Sequence, residues 1–95
     1  MADNRAGTEA YEEMINVLNQ FKGTVSENCS QMQSAASECA ENMPEDPVAA
    51  KASAAVGKHC SNIQAQLEVV DKVIQDLQEE IEEIQAAAAK ANDIE

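Results

Sequence analysis

Only two prolines occur in this chain, and they stand three residues apart near its middle, in Met43-Pro44-Glu45-Asp46-Pro47. Pro44 disfavours helical geometry at Met43, so a helix arriving from the N-terminal side ends there. Asp46 is a good N-cap, and Pro47 suits the first position of a new helix, where its missing N–H costs nothing. A connection this short makes the flanking helices antiparallel neighbours. The punctuation therefore predicts a helix over about 8–42, a turn at 43–47 and a second helix over about 47–91, all in one domain.

Both arms carry a seam at coiled-coil spacing. In the first, Tyr11, Leu18, Val25, Met32 and Cys39 share one position. Met14, Phe21, Asn28 and Ala35 share the other, so steps of three and four alternate. Towards the turn a further row appears at Cys29, Ala36 and Met43. Asn28 either sits in the seam, where a buried Asn fixes register or oligomeric state, or stands at its rim where the seam drifts to Cys29. The second arm is more regular. Val56, Cys60, Ile63, Leu67, Val70, Ile74, Leu77, Ile81, Ile84, Ala88 and Ala91 keep the alternation unbroken. Gly23 and Gly57 fall off these seams and cost about 1 kcal/mol each relative to Ala. They read as surface glycines or as points of close approach by a partner.

The expected fold is all-α: an antiparallel two-helix hairpin, a helical coiled coil, pairing into a four-helix bundle. With the turn centred between residues 45 and 46, Phe21 lies level with Val70 and Leu18 with Val73 and Ile74. At ~1.5 Å per residue the arms are about 50 and 65 Å long. If the first helix begins at Thr8, residues beyond about Glu83 overhang. Ile84, Ala88, Ala91 and Ile94 then present apolar surface past the hairpin.

Charge narrows the partners. The formal net charge is −12, with only six Lys and Arg. Nucleic acid and anionic membrane surfaces need basic clusters, so both are disfavoured. No run of 18 apolar residues exists to span a membrane, and the opening MADNRAGTEAYEE has no apolar segment of an ordinary secretory signal. The acidity favours solubility and a basic partner surface.

No constellation here points to catalysis or to a cofactor. Cys29, Cys39 and Cys60 lack metal-ligand spacing, and His59 points about 100° away from Cys60 on a helix. A Cys–His nucleophile needs a water-excluding pocket, which two helices side by side do not make. Asp76, Glu79, Glu80, Glu82 and Glu83 imitate a metal cluster, but di-iron bundles use an inward Glu-x-x-His, and the single His is elsewhere. These acids read as a solvated helix face or as a docking patch for basic residues. Cys29 and Cys60 should lie nearly level on facing arms. They form either a disulfide, which needs Cα atoms within ~4.4–6.8 Å, or a pair of packed thiols. Cys39 has no mate and is expected to be packed.

With its length, acidity, lack of a signal segment and two long helices about a tight central turn, the chain resembles the WXG (ESAT-like) family of type VII secretion proteins. It is equally similar to the small helical partner proteins of LXG toxins. Where the family has Trp-x-Gly at the turn, this chain has Met43-Pro44-Glu45-Asp46-Pro47. Its tail, Ala-Lys-Ala-Asn-Asp-Ile-Glu, has no match to the family's Tyr-x-x-x-Asp/Glu export signal. These departures favour the partner or adaptor version over an independently recognised substrate. The resemblance implies a four-helix bundle, formed as a homodimer or as a heterodimer with a helical toxin domain. It further implies a Gram-positive bacterial cytoplasm, or export without a cleaved signal peptide.

The expected function is that of a type VII adaptor, partner or substrate that binds a helical client. The residues expected to carry it are Leu18, Phe21, Val25, Leu67, Val70, Ile74, Leu77, Ile81 and Ile84. The alternative is a structural or assembly coiled-coil protein, such as a phage or virion component.

Overall fold

The structure, a computed structural model, describes the backbone of residues 3–93 and the side chains of residues 8–91. It is all-α, an antiparallel hairpin of α1 (Asp3–Asn42) and α2 (Pro47–Asp93). The described residues contain no strand.

The turn is built from the residues that punctuate the sequence. Asp46 caps α2: its Oδ1 accepts from the Val48 N–H at 2.9 Å, and its carbonyl accepts from Ala50 at 3.3 Å. Val48 is the second helical residue, whose amide an N-cap side chain typically satisfies. At the other end, Met43 N–H donates to the Cys39 carbonyl and Asp46 N–H to the Met43 carbonyl, each at 3.0 Å. No described residue has a positive φ. The turn therefore does without the left-handed glycine that ends many helices; Pro44 instead stops α1 by lacking the N–H that a further helical turn would need.

The hairpin comprises two compact units. One is Phe21–Glu68, which contains the turn, and the other joins the segment up to Gln20 with the segment from Val69 onward. In the turn-containing unit the buried residues are Cys29, Ala49, Cys60 and Leu67. Val25, Ala36, Ala40, Ser53, Val56 and Ile63 are half-buried. Most of these side chains are small, which lets helix backbones approach closely. In the other unit Thr8, Ile74 and Ile81 are buried, while Tyr11, Ile15, Leu18, Val70, Leu77 and Ile84 are half-buried. The core is thin. Its three large aliphatic members, Leu67, Ile74 and Ile81, contribute roughly 1.5–3 kcal/mol each by leaving water.

The second helix keeps its expected face. Cys60, Leu67, Ile74 and Ile81 are buried, and Val56, Ile63, Val70, Leu77 and Ile84 flank them half-buried. The first helix differs. Tyr11, Leu18 and Val25 lie at the seam as expected, but their companion row is Thr8, Ile15, Lys22, Cys29 and Ala36. The expected companions Met14, Phe21, Asn28 and Ala35 are exposed. Both rows sit at coiled-coil spacing from Tyr11–Leu18–Val25, one a step of three away and one a step of four. Cys29 meets Cys60, and that contact selects the step of four. A lysine is tolerated in this row because its methylene stem can lie along the seam while its charge points outward.

Four further expectations are corrected. The first helix begins at Asp3 rather than Thr8, so the longer first arm reaches levels assigned to an overhang. Ile84 and Ala88 are half-buried and only Ala91 is exposed; Ile94 lies outside the described residues. Cys39 is exposed rather than packed. Met32 is exposed as well, because the stripe turns towards Ala36 and Ala40 near the loop.

Candidate interaction surface

The residues expected to bind a partner separate into three groups. Leu67, Ile74 and Ile81 are buried within the hairpin, so they hold its own helices together. Leu18, Val25, Val70, Leu77 and Ile84 are half-buried: one side of each packs in the seam and the other meets solvent. Phe21 is 51% exposed.

Beside the seam lies a second set of apolar side chains. In the unit with the chain ends these are Met14, Val17, Val69 and Val73; in the turn-containing unit they are Phe21, Met32, Met43 and Val48. Single exposed apolar residues are ordinary, whereas contiguous ones mark interaction sites. Val17, Val48, Val69 and Val73 carry no signal at the main seam spacing, so a search for that seam passes over them. Their signal is a second apolar row beside the first, offset by one residue.

The cysteines are the most enclosed polar feature. Cys29 and Cys60 are level on facing helices, as the position of the turn predicts, and both are free thiols. The Cys60 thiol donates to the Cys29 carbonyl at 3.6 Å. Burial pushes the Cys60 thiol above its ordinary range, and the neighbouring Cys29 pushes it the same way. A raised thiol pKa keeps the group protonated near neutrality, the opposite of an activated nucleophile.

Among the described residues, no three His, Cys, Asp or Glu side chains are placed to hold a metal ion. A shallow, open depression on the first helix is lined by Ser30, Gln33, Ser34, Ser37, Glu38 and Glu41. None of the described helices is long and apolar enough to cross a membrane.

Charge is distributed unequally. The segments 1–20 and 69–95 hold twelve of the eighteen carboxylates and three of the six basic residues, which is −9 of the net −12. Asp76, Glu80 and Glu83 stand on one side of α2, all exposed. No protein-family model, curated protein or solved structure matches the chain.

Proposed function

We infer that this chain is a helix-binding adaptor of the type VII secretion kind, which shields an apolar face of a helical client before export from the bacterial cytoplasm. The reading rests on unsatisfied apolar surface. The chain exposes 7125 Å² for a mass of 10.2 kDa. A folded monomer of that mass exposes about 5,300 Å² by the usual size scaling. The excess of roughly 1,800 Å² on one chain is more than twice the ~800 Å² that a standard interface removes from each partner, and falls in the range of obligate complexes.

The mechanism is packing. Within the unit that holds the chain ends, a client helix covers the outer sides of Leu18, Val70, Leu77 and Ile84 and extends over the exposed apolar flank beside them. Two client helices complete a four-helix bundle with the same side chains. The role is one of binding, without chemistry at the cysteines or carboxylates.

Co-expression with the helical domain of a toxin encoded beside it tests the reading. The expected result is a 1:1 complex that survives size exclusion, with Val70 and Leu77 protected from exchange or labelling. A chain that stays monomeric and leaves the toxin domain insoluble overturns it. Sedimentation of the isolated chain as assemblies larger than a dimer supports a structural protein instead.

A further inference from the structure

We propose that the unit containing the chain ends binds a cationic amphipathic helix, with Met14, Val17, Val69 and Val73 receiving its apolar stripe and Asp76, Glu80 and Glu83 receiving a row of Lys or Arg. This deepens the helix-binding reading and rests on it, adding the partner's charge pattern and the place where it docks.

The geometry follows from helix periodicity. At about 100° per residue, Met14 and Val17 lie on one rotational flank of the row Tyr11, Ile15 and Leu18. Val69 and Val73 lie on the flank of the same sense beside Val70 and Ile74. In an antiparallel pair, flanks of the same sense share a face. Counting along the antiparallel helices from the contact of Cys60 with Cys29 brings Val73 close to the level of Val17. All four side chains are between 41% and 65% exposed, so one face of the unit carries a contiguous apolar patch.

The acids continue that face along α2. Asp76, Glu80 and Glu83 are spaced as i, i+4 and i+7, so they form one row beside the patch rather than a ring around the helix. The unit carries −9 with three basic residues. A second copy of this chain would bring another −9 to the same place. A helix with basic residues along the edge of its apolar stripe removes the repulsion and meets the acid row with opposite charge. Complementarity of this kind sets partner choice and association rate.

The test uses the full chain and two labelled synthetic peptides. Each carries leucines on one helical face and differs only in having Lys or Glu at i, i+4 and i+7 along its edge. By fluorescence anisotropy, the Lys-edged peptide is expected to bind at least about tenfold more tightly than the Glu-edged one, and to weaken as salt is raised. Val73→Asp or Val69→Asp should weaken Lys-edged binding about tenfold or more, whereas Met32→Asp in the other unit should not. Replacing Asp76 and Glu80 with Lys should reverse the preference between the peptides. Circular dichroism checks that each variant keeps its helices. Equal affinity for the two peptides overturns the charge assignment while leaving helix binding intact. Equal weakening by Met32→Asp overturns the location. Failure of both peptides to bind overturns the proposal together with the reading beneath it. A homodimer that Val73→Asp dissociates identifies a second copy as the occupant and also overturns the proposal.

Discussion

The Cys60 thiol donates a hydrogen bond to the backbone carbonyl of Cys29 across 3.6 Å, joining residues in different helices at one level of the hairpin. The helical carbonyl already accepts from its own helix, so the thiol uses the remaining lone pair. This contact fixes which side of α1 faces α2.

The three thiols should therefore differ in reactivity. Cys39 is exposed, while Cys29 and Cys60 are buried. Alkylation of the reduced native protein should modify Cys39 rapidly and the other two only on unfolding, as mass spectrometry of timed samples would record. Rapid native modification of Cys60 would contradict its burial.

Stability should decline in alkali for the same reason. The native Cys60 thiol binds its proton more tightly than the unfolded chain does, whose thiol titrates at about the ordinary 9.0. Above that value the unfolded state loses a proton that the native state retains, so unfolding becomes easier as pH rises. Below it both states are protonated and the contribution is fully present. Urea midpoints measured from pH 8 upward should fall more steeply for the natural chain than for Cys60→Ala. Parallel slopes would remove Cys60 as the cause.

Core and flank should respond differently to truncation. Ile74 is 7% exposed and Phe21 is 51% exposed. Ile74→Ala is expected to cost about 2–5 kcal/mol, while Phe21→Gln should cost under about 1 kcal/mol in the isolated chain. Chemical denaturation measures both. If Phe21→Gln were as damaging as Ile74→Ala, the row containing Phe21 would be the seam after all.

The N-cap offers a local check. Asp46→Ala removes the acceptor for the Val48 N–H and should cost about 1 kcal/mol. Asp46→Asn should recover most of that loss. A neutral Asp46→Ala would mean that water replaces the cap without penalty.

The two internal glycines provide a stabilising counterpart. A Cβ at Gly23 or Gly57 would meet nothing within 4 Å, and neither glycine has a positive φ. Gly23→Ala and Gly57→Ala should each raise stability by roughly 0.4–1 kcal/mol, additively because the sites are independent. Thermal melts would record the gain.

Much of this fold is legible in the sequence because the turn is encoded redundantly. Pro44 stops one helix, Asp46 and Pro47 start the next, and the level of Cys29 with Cys60 follows from counting. The face of α2 is equally legible, since its large aliphatics occupy one continuous row. The face of α1 is not. Its bulkiest apolar residues, Met14 and Phe21, lie outside, while Thr8 and Lys22 occupy seam positions. Hydrophobicity ranks these residues in the wrong order, and only the match to the partner helix corrects it. The exposed patch of Val69 and Val73 is less legible for a related reason: these residues mark a second face, offset by one residue from the seam.

The two prolines also restrict how copies of this chain can assemble. Exchange of arms would require the turn to straighten and α1 to run on into α2 as a single helix. Pro44 and Pro47 would then sit in a helix interior, each at a cost of about 3 kcal/mol from lost hydrogen bonding and ring clashes, and the Asp46 cap would be given up as well. Exchange of arms between copies is therefore disfavoured relative to contact between finished hairpins. A complex that forms on the outer surface of the hairpin leaves this pairing of α1 with α2 in place, so release of whatever is bound returns a chain that is already folded.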